Sequence, residues 1–144
     1  MRINGKWLMC DDGVVRPVVR GEVLAADGSW ERVEFLLDTG ADRTVFGAAT
    51  LANLNIQPLA AHEGISGLGG IADSVIIQTQ IRLTHENFGK VLFRGRYAAV
   101  TALDSLDIDV LGRDITGLLS VIVDLPADIV FMLGQRHRYI IQSN

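Results

Sequence analysis

The chain contains 144 residues, 49% of them hydrophobic, and its formal net charge is −4. This length predicts one domain, and the acidic balance, with no long run of Lys or Arg, argues against nucleic-acid binding. Cys10 is the single cysteine, which excludes an intrachain disulfide, and the most apolar stretch is interrupted by charges and proline, which argues against a membrane span. We therefore expect a soluble, cytoplasmic protein, or a soluble domain of a larger or membrane-anchored one.

The first half of the chain predicts a β-hairpin followed by a helix. Residues 18–25 and 30–37 flank a polar loop with an Asp27-Gly28 step, which is typical of a hairpin turn. Residues 47–54 have no run of β-branched side chains and predict a short helix that ends near Asn55.

The second half continues mainly as strands. Residues 75–83 and 91–99 alternate apolar and polar side chains around a turn at 85–89, as half-buried strands do. Further along the chain, the sequence predicts one or two helical turns within 103–115, a hairpin of 120–124 with 129–133, and a last strand at 139–142. The fold class is therefore all-β with one or two short helices.

The stretch LLDTGADRTVF, residues 36–46, places the carboxylate of Asp38 at the end of an apolar strand and turns there. The Asp-Thr-Gly triplet alone has low specificity, since Asp and Gly are also common in ordinary turns. Two further segments follow it, the glycine-rich GISGLGG at residues 64–70 and VLGRDI at residues 110–115. The three segments together are far more specific than the triplet.

This combination resembles the retropepsin-like aspartic proteases, the single-domain relatives of the retroviral proteases. DTGADRTV is similar to their catalytic loop, GISGLGG to their flap, and VLGRDI to their segment around a Gly-Arg pair. The resemblance covers roughly residues 16–118 of one domain spanning 1–144, and residues 119–144 form a C-terminal extension. It implies a closed acid-protease barrel with one catalytic loop per chain, acting as a homodimer on peptide or protein substrates.

The chemistry of such a protease needs two carboxylates that share one proton. The ionised carboxylate takes a proton from water, and the protonated one activates the carbonyl of the peptide bond. This sequence supplies one complete triplet, because Asp73 and Asp104 lack the glycine and Asp12 lacks the hydroxyl residue. The second aspartate must come from a second copy across a two-fold axis. No metal and no cofactor is required.

The resemblance assigns the catalytic triplet to Asp38, Thr39 and Gly40. It implies that the Thr39 hydroxyl bonds to the partner loop, while Gly40 permits a tight turn and a close approach of substrate. Both residues also fit an ordinary strand end and turn.

The Gly-Arg segment is assigned to structural support of this loop. Asp42 is similar to the family residue that accepts a substrate N–H and pairs with the arginine, here Arg113, although an exposed turn carboxylate is an alternative. Gly112 would allow close packing behind the loop. Because removing one partner of a buried ion pair costs about 3–5 kcal/mol, we expect Arg113→Ala to be severely destabilising.

The remaining substrate-binding residues are assigned to the flap and to the position after the triplet. A glycine-rich hairpin can open and close over a peptide, which it binds as an added strand, although any flexible loop could share this composition. We expect its apolar side chains to favour large apolar residues around the cleaved bond. Ala41 has no hydroxyl to donate to the catalytic carboxylate, so activity should peak in weakly acidic solution. The assigned residues are Ala41, Ile65, Gly67, Leu68, Gly69 and Ile71.

Two alternatives to an active dimeric protease remain open from the sequence. The domain could be a catalytically silent dimerisation or peptide-binding module, or a domain excised from a longer protein. The length of the C-terminal extension leaves the dimer interface undefined.

A zinc site is disfavoured because the histidines are scattered, and the acidic stretch Asp104, Asp107 and Asp109 favours a solvated loop over a calcium site.

Overall fold

The computed structural model describes residues 1–67 and 70–134, so the strand predicted at 139–142 lies outside the described residues. The described strands are β1 (Arg2–Met9), β2 (Val15–Leu24), β3 (Trp30–Leu37), β4 (Val45–Phe46), β5 (Ala60–Gly67), β6 (Gly70–Thr84), β7 (Lys90–Val100), β8 (Asp109–Leu111), β9 (Ser120–Asp124) and β10 (Ile129–Leu133). Two short helices, α1 (Ala48–Leu54) and α2 (Arg113–Thr116), complete the described elements. The predicted all-β class with one or two short helices is confirmed.

The strands form one mixed sheet in the order β5-β6-β7-β4-β8-β3-β2-β1-β10-β9. An additional antiparallel pairing of β2 with β6 closes a ring of hydrogen bonds that runs β6-β7-β4-β8-β3-β2. The ring matches the predicted closed sheet, and two of its pairings, β3 with β8 and β4 with β7, are parallel.

The core lies inside this ring because the strands alternate between apolar and charged positions. In β3, Val33, Phe35 and Leu37 are buried, and Phe35 packs against Phe46 with ring centroids 6.0 Å apart. Gly21 on the neighbouring strand also faces inward, where a Cβ would lie 2.8 Å from the Leu83 side chain. The outward positions of the same strands carry charged side chains.

The N-terminal strand β1 was not predicted. It pairs with β2 on one side and with β10 on the other. Its residues lack a clean alternation, because only Ile3 is fully buried and the middle of the strand is half-buried. Gly5 permits the packing of β10, since a Cβ there would lie 2.5 Å from the Val130 side chain. The predicted hairpin of 120–124 with 129–133 is confirmed as β9–β10 and extends the main sheet through β1.

The helix prediction for residues 47–54 holds with a start one residue later. Asn55 ends α1 in the left-handed conformation (φ 49°), where its backbone N–H donates to carbonyls of the last turn. Neither described helix is long and apolar enough to cross a membrane.

Candidate active site

The predicted catalytic loop leaves the core between β3 and β4. Leu37, the last residue of β3, is buried, Asp38 is half-buried, and Thr39 and Gly40 are exposed. The parallel pairing of β3 with β8 fixes this exit, and the Asp38 N–H donates to the Leu111 carbonyl at 3.3 Å. The end of β3 therefore places the Asp38 carboxylate at the edge of the core, half-exposed.

The carboxylate of Asp38 is held on one side by its own loop. The Gly40 N–H donates to Asp38 Oδ1 at 2.8 Å. A Cβ on Gly40 would lie 3.1 Å from the same oxygen, so glycine serves here by leaving space. Among residues 1–67 and 70–134, no donor hydrogen-bonds to Asp38 Oδ2. The loop thus fixes one of the two carboxylate oxygens of Asp38.

The far end of the loop is tied down by Thr44 and Asp114, which sequence reasoning missed. Thr44 is fully buried, and its N–H donates to both carboxylate oxygens of Asp114, at 2.9 and 3.0 Å. The Thr44 hydroxyl donates to Asp114 Oδ1 at 2.7 Å and accepts the Gly112 N–H at 3.2 Å. One signal could have suggested this contact. Thr44 can donate a hydrogen bond and Asp114 can accept one, and each lies in one of the two family-like segments DTGADRTV and VLGRDI.

Gly112 packs directly on the backbone of the loop. A Cβ at this position would lie 2.2 Å from the carbonyl carbon of Arg43 and 2.3 Å from its oxygen. The next residue, Arg113, donates its backbone N–H to the Ala41 carbonyl at 2.8 Å. The start of α2 therefore supports the catalytic loop through backbone contacts that need no Arg113 side chain.

The flap segment forms the tip of the β5–β6 hairpin. Gly67 pairs with Gly70 across the tip, and Gly70 has a φ of +113°, a conformation that favours glycine. The register shifts between His62 and Ile65. Leu68 and Gly69, both predicted to bind substrate, lie outside the described residues.

A small apolar cluster connects the catalytic loop with the flap. Ala41 from the loop and Ile65 from the flap both pack against it, and both are partly buried. Ile71, by contrast, is 81% exposed in the single chain. The buried members of the cluster are Val45, Ala98, Val100 and Val110, and the other partly buried ones are Leu36, Ala72, Ile76 and Leu106.

Comparison with known proteins identifies the family. The model described as retroviral aspartyl protease matches residues 2–123. The chain belongs to the retroviral aspartyl protease family. The match confirms the resemblance and extends it at the N-terminus to include β1. No curated protein sequence matches the chain.

Two solved structures show the same fold. A retropepsin-like aspartic protease from Rickettsia conorii aligns with a TM-score of 0.53 and 15% identity, covering 91% of this chain and 96% of that one. EIAV protease, solved in complex with the inhibitor HBY-793, aligns with a TM-score of 0.50 and 24% identity, covering 71% and 86%. The predicted retropepsin-like fold is confirmed.

Asp42 and Arg113 form the expected ion pair in this family member. The expectation that the pair is buried is wrong for the single chain, because the Asp42 and Arg113 side chains are 77% and 59% exposed. An exposed ion pair contributes little, since water screens both charges.

Arg113→Ala is therefore expected to lower the free energy of unfolding by at most about 1 kcal/mol. The backbone bond from Arg113 to Ala41 persists in the variant. Thermal unfolding of wild type, Arg113→Ala and the exposed control Arg96→Ala checks this. A much larger loss for Arg113→Ala alone would show that a second subunit buries the pair.

Asp109 corrects the expectation of a solvated acidic loop. Asp104 and Asp107 are exposed, but Asp109 is 8% exposed. Its carboxylate accepts the Gly47 N–H at 2.6 Å and the Thr50 hydroxyl at 2.8 Å. Burial raises its pKa, against the opposing effect of those two hydrogen bonds. Asp109 thus joins β8 to the start of α1. Among the described residues, no group of His, Cys, Asp and Glu side chains could hold a metal ion.

The raised pKa gives a pH-dependent prediction. The folded chain binds the Asp109 proton more tightly than the unfolded chain, so this carboxyl lowers stability as the pH rises from about 4 through the folded-state pKa. Asp109→Asn cannot ionise, and its amide can still accept from Gly47 and donate to Thr50. The melting temperature of Asp109→Asn relative to wild type should increase between about pH 4 and about pH 7.

Asp109→Ala provides the control for this prediction. It removes both hydrogen bonds and should be less stable than Asp109→Asn at every pH, because a buried N–H left without an acceptor costs about 1–3 kcal/mol. A difference between wild type and Asp109→Asn that stays constant with pH would contradict the argument.

Proposed function

We propose that this chain is an aspartic endopeptidase that acts as a homodimer, in which the two copies of Asp38 activate a water molecule. Family membership supports a protease, and one Asp-Thr-Gly triplet per chain supports a dyad shared between two copies. The observation that carries the proposal is the Asp38 carboxylate, held at Oδ1 by Gly40 and without a hydrogen-bond donor at Oδ2 among the described residues.

In the proposed reaction, the two carboxyl groups hold one proton between them. The ionised group removes a proton from water as the oxygen attacks the peptide carbonyl, and the protonated group donates to the carbonyl oxygen. Collapse of the tetrahedral intermediate breaks the C–N bond, and a proton passes to the leaving amine. The like-charged carboxylates share a proton because two charges so close do not both ionise readily.

The surrounding residues take supporting roles in the proposal. The Thr39 hydroxyl joins the two catalytic loops, and Asp42 accepts a backbone N–H of the substrate. The flap backbone around Gly67 and Gly69 binds the peptide as an added strand. Leu68 and Ile71 contact substrate when the flap closes.

The apolar cluster supports a preference for apolar substrates. Its partly buried members next to the catalytic loop, Ala41 and Ile65, carry no charge. We expect cleaved bonds to be flanked by large apolar residues in extended segments.

A proteome-derived peptide library incubated with wild type and with Asp38→Asn tests the proposal, with cleavage sites read by mass spectrometry. Sites present with wild type and absent with Asp38→Asn are the expected result. A preference for charged residues at the cleaved bond would show that other side chains form the pockets. Binding of peptides without cleavage would instead support a catalytically silent module.

A further inference from the structure

The outer face of β2 and β3 carries a charged groove of about 650 Å³. Alternation places Gly21 and Val33 inward and their neighbours outward, so charged side chains of both strands meet on this face. The groove lies away from the catalytic loop, because Glu34, its lining residue nearest to the loop along β3, precedes Asp38 by four residues, or about 13 Å. The outward side chains lining this outer groove are Arg20, Glu22, Arg32, Glu34, Thr84 and Lys90.

Both carboxylates of the outer groove form ion pairs with cationic side chains of this chain. Glu22 accepts hydrogen bonds from Arg82 at 2.8 and 3.0 Å and from Lys90 at 2.7 Å. These hydrogen bonds, with that from Arg82 the strongest, lower the pKa of Glu22 to about 2. Arg82 is itself fixed, since its guanidinium lies 4.0 Å from the ring centroid of Trp30.

Glu34 also forms two ion pairs. It pairs with Lys6 at 2.7 Å and with the Nε of Arg20 at 3.0 Å. The hydrogen bond from Lys6 is the largest influence that lowers the pKa of Glu34. Five cations in and beside the groove therefore face two carboxylates, an excess of three positive charges in a chain whose net charge is −4.

Two guanidinium groups retain unused donors. Arg32 forms no hydrogen bond or ion pair with any described residue, although it lies opposite Glu22 in the strand register. Arg20 is 75% exposed, and its hydrogen bond to Glu34 comes from its Nε. Guanidinium groups bind carboxylates through paired N–H donors.

The register sets the spacing of these donors. Arg20 lies opposite Glu34 and Glu22 lies opposite Arg32, so Arg20 and Arg32 are diagonal neighbours on one face. Diagonal neighbours on adjacent strands are about 7–8 Å apart. In an extended peptide, side chains at alternate positions lie on one side about 6.5–7 Å apart.

We propose that the outer groove binds an extended acidic peptide segment, with carboxylates at alternate positions contacting Arg20 and Arg32. A short acidic segment fits better than nucleic acid, because the positive excess is local. A long polyanion would extend beyond it over a chain of net negative charge and be repelled.

The test is fluorescence anisotropy with labelled eight-residue peptides at low ionic strength. One peptide has four glutamates alternating with four glycines, and the other has the same composition in the order Glu-Glu-Gly-Gly-Glu-Glu-Gly-Gly. The alternating peptide should bind several-fold more tightly, since only it matches the diagonal spacing. Equal binding of the two peptides would overturn the proposed register.

Matched variants locate the site. Arg20→Gln combined with Arg32→Gln should weaken binding of the alternating peptide at least about tenfold. The control combines Arg94→Gln with Arg96→Gln, which makes the same charge change at exposed positions of β7. It should change the affinity for the alternating peptide less than about twofold. Glu34→Gln should strengthen binding, because it removes a negative charge and frees Lys6 and Arg20.

Three results would overturn the proposal: no saturable binding, an equal loss with the β7 variant, or tighter binding of an eight-nucleotide thymidine DNA. The measurement does not depend on peptidase activity, so its outcome is separate from that of the proposed function. Unchanged melting temperatures of the arginine variants confirm that the fold is intact.

Discussion

Asp38→Asn should reduce kcat/KM for a cleaved peptide by at least about a thousandfold, within the range for loss of a general acid–base. Asparagine keeps an oxygen for the Gly40 N–H, so the loop geometry should persist. Its amide can neither accept the proton of water nor hold the shared proton. Asp104→Asn, an equal change at an exposed position, should retain full activity.

Mixing experiments test whether two chains share the dyad. If an active site needs Asp38 from both copies, an equal mixture of wild type and Asp38→Asn, allowed to exchange subunits, should retain about a quarter of the wild-type activity rather than half. Activity should also fall on dilution below the dimer dissociation constant. A mixture that keeps half of the activity, or a monomer by ultracentrifugation that cleaves peptides, would refute the shared dyad.

The sequence predicted the elements whose signals are local. The hairpin of β2 with β3 follows from alternation around an Asp-Gly turn, and the end of α1 follows from Asn55. The catalytic loop was recognisable because the chemistry restricts its residue types, and the family match agrees with that recognition.

The features that sequence reasoning missed depend on tertiary contacts. Asp109 looks like its exposed neighbours in the acidic stretch, but it is buried where it accepts hydrogen bonds from Gly47 and Thr50 at the start of α1. The clamp between Thr44 and Asp114 joins residues 70 positions apart. The exposure of Arg113 could not be predicted either. The two sequence segments indicate that Asp42 and Arg113 form an ion pair, but they do not indicate how much of the pair is exposed to water.

Gly112→Ala should be the most destabilising small substitution near the catalytic loop. The added Cβ would lie 2.2 and 2.3 Å from the carbonyl carbon and oxygen of Arg43. These are backbone atoms, so no side-chain rotation relieves the clash, and either the loop or α2 must move. Overpacking of this kind costs about 1–3 kcal/mol or more. The melting temperature should fall by about 3–10 °C.

The same displacement should impair activity, because Gly112 also donates its N–H to the Thr44 hydroxyl that anchors the loop. A shift of about 1 Å in a catalytic group can cost about a hundredfold in rate. Gly47→Ala is the matched control. Gly47 and Gly112 are both buried, both have extended backbone, and both precede a helix as its N-cap without a side-chain capping bond.

At Gly47 the added Cβ would lie 3.5 Å from its nearest neighbours, an ordinary contact. Loss of glycine at an N-cap costs at most about 1 kcal/mol, so Gly47→Ala should remain close to wild type in stability and activity. If thermal unfolding and kcat/KM show equal losses for the two variants, the effect comes from capping and not from the contact with Arg43. If Gly112→Ala alone unfolds early and cleaves slowly, the close approach of α2 to the loop is what holds Asp38 in place.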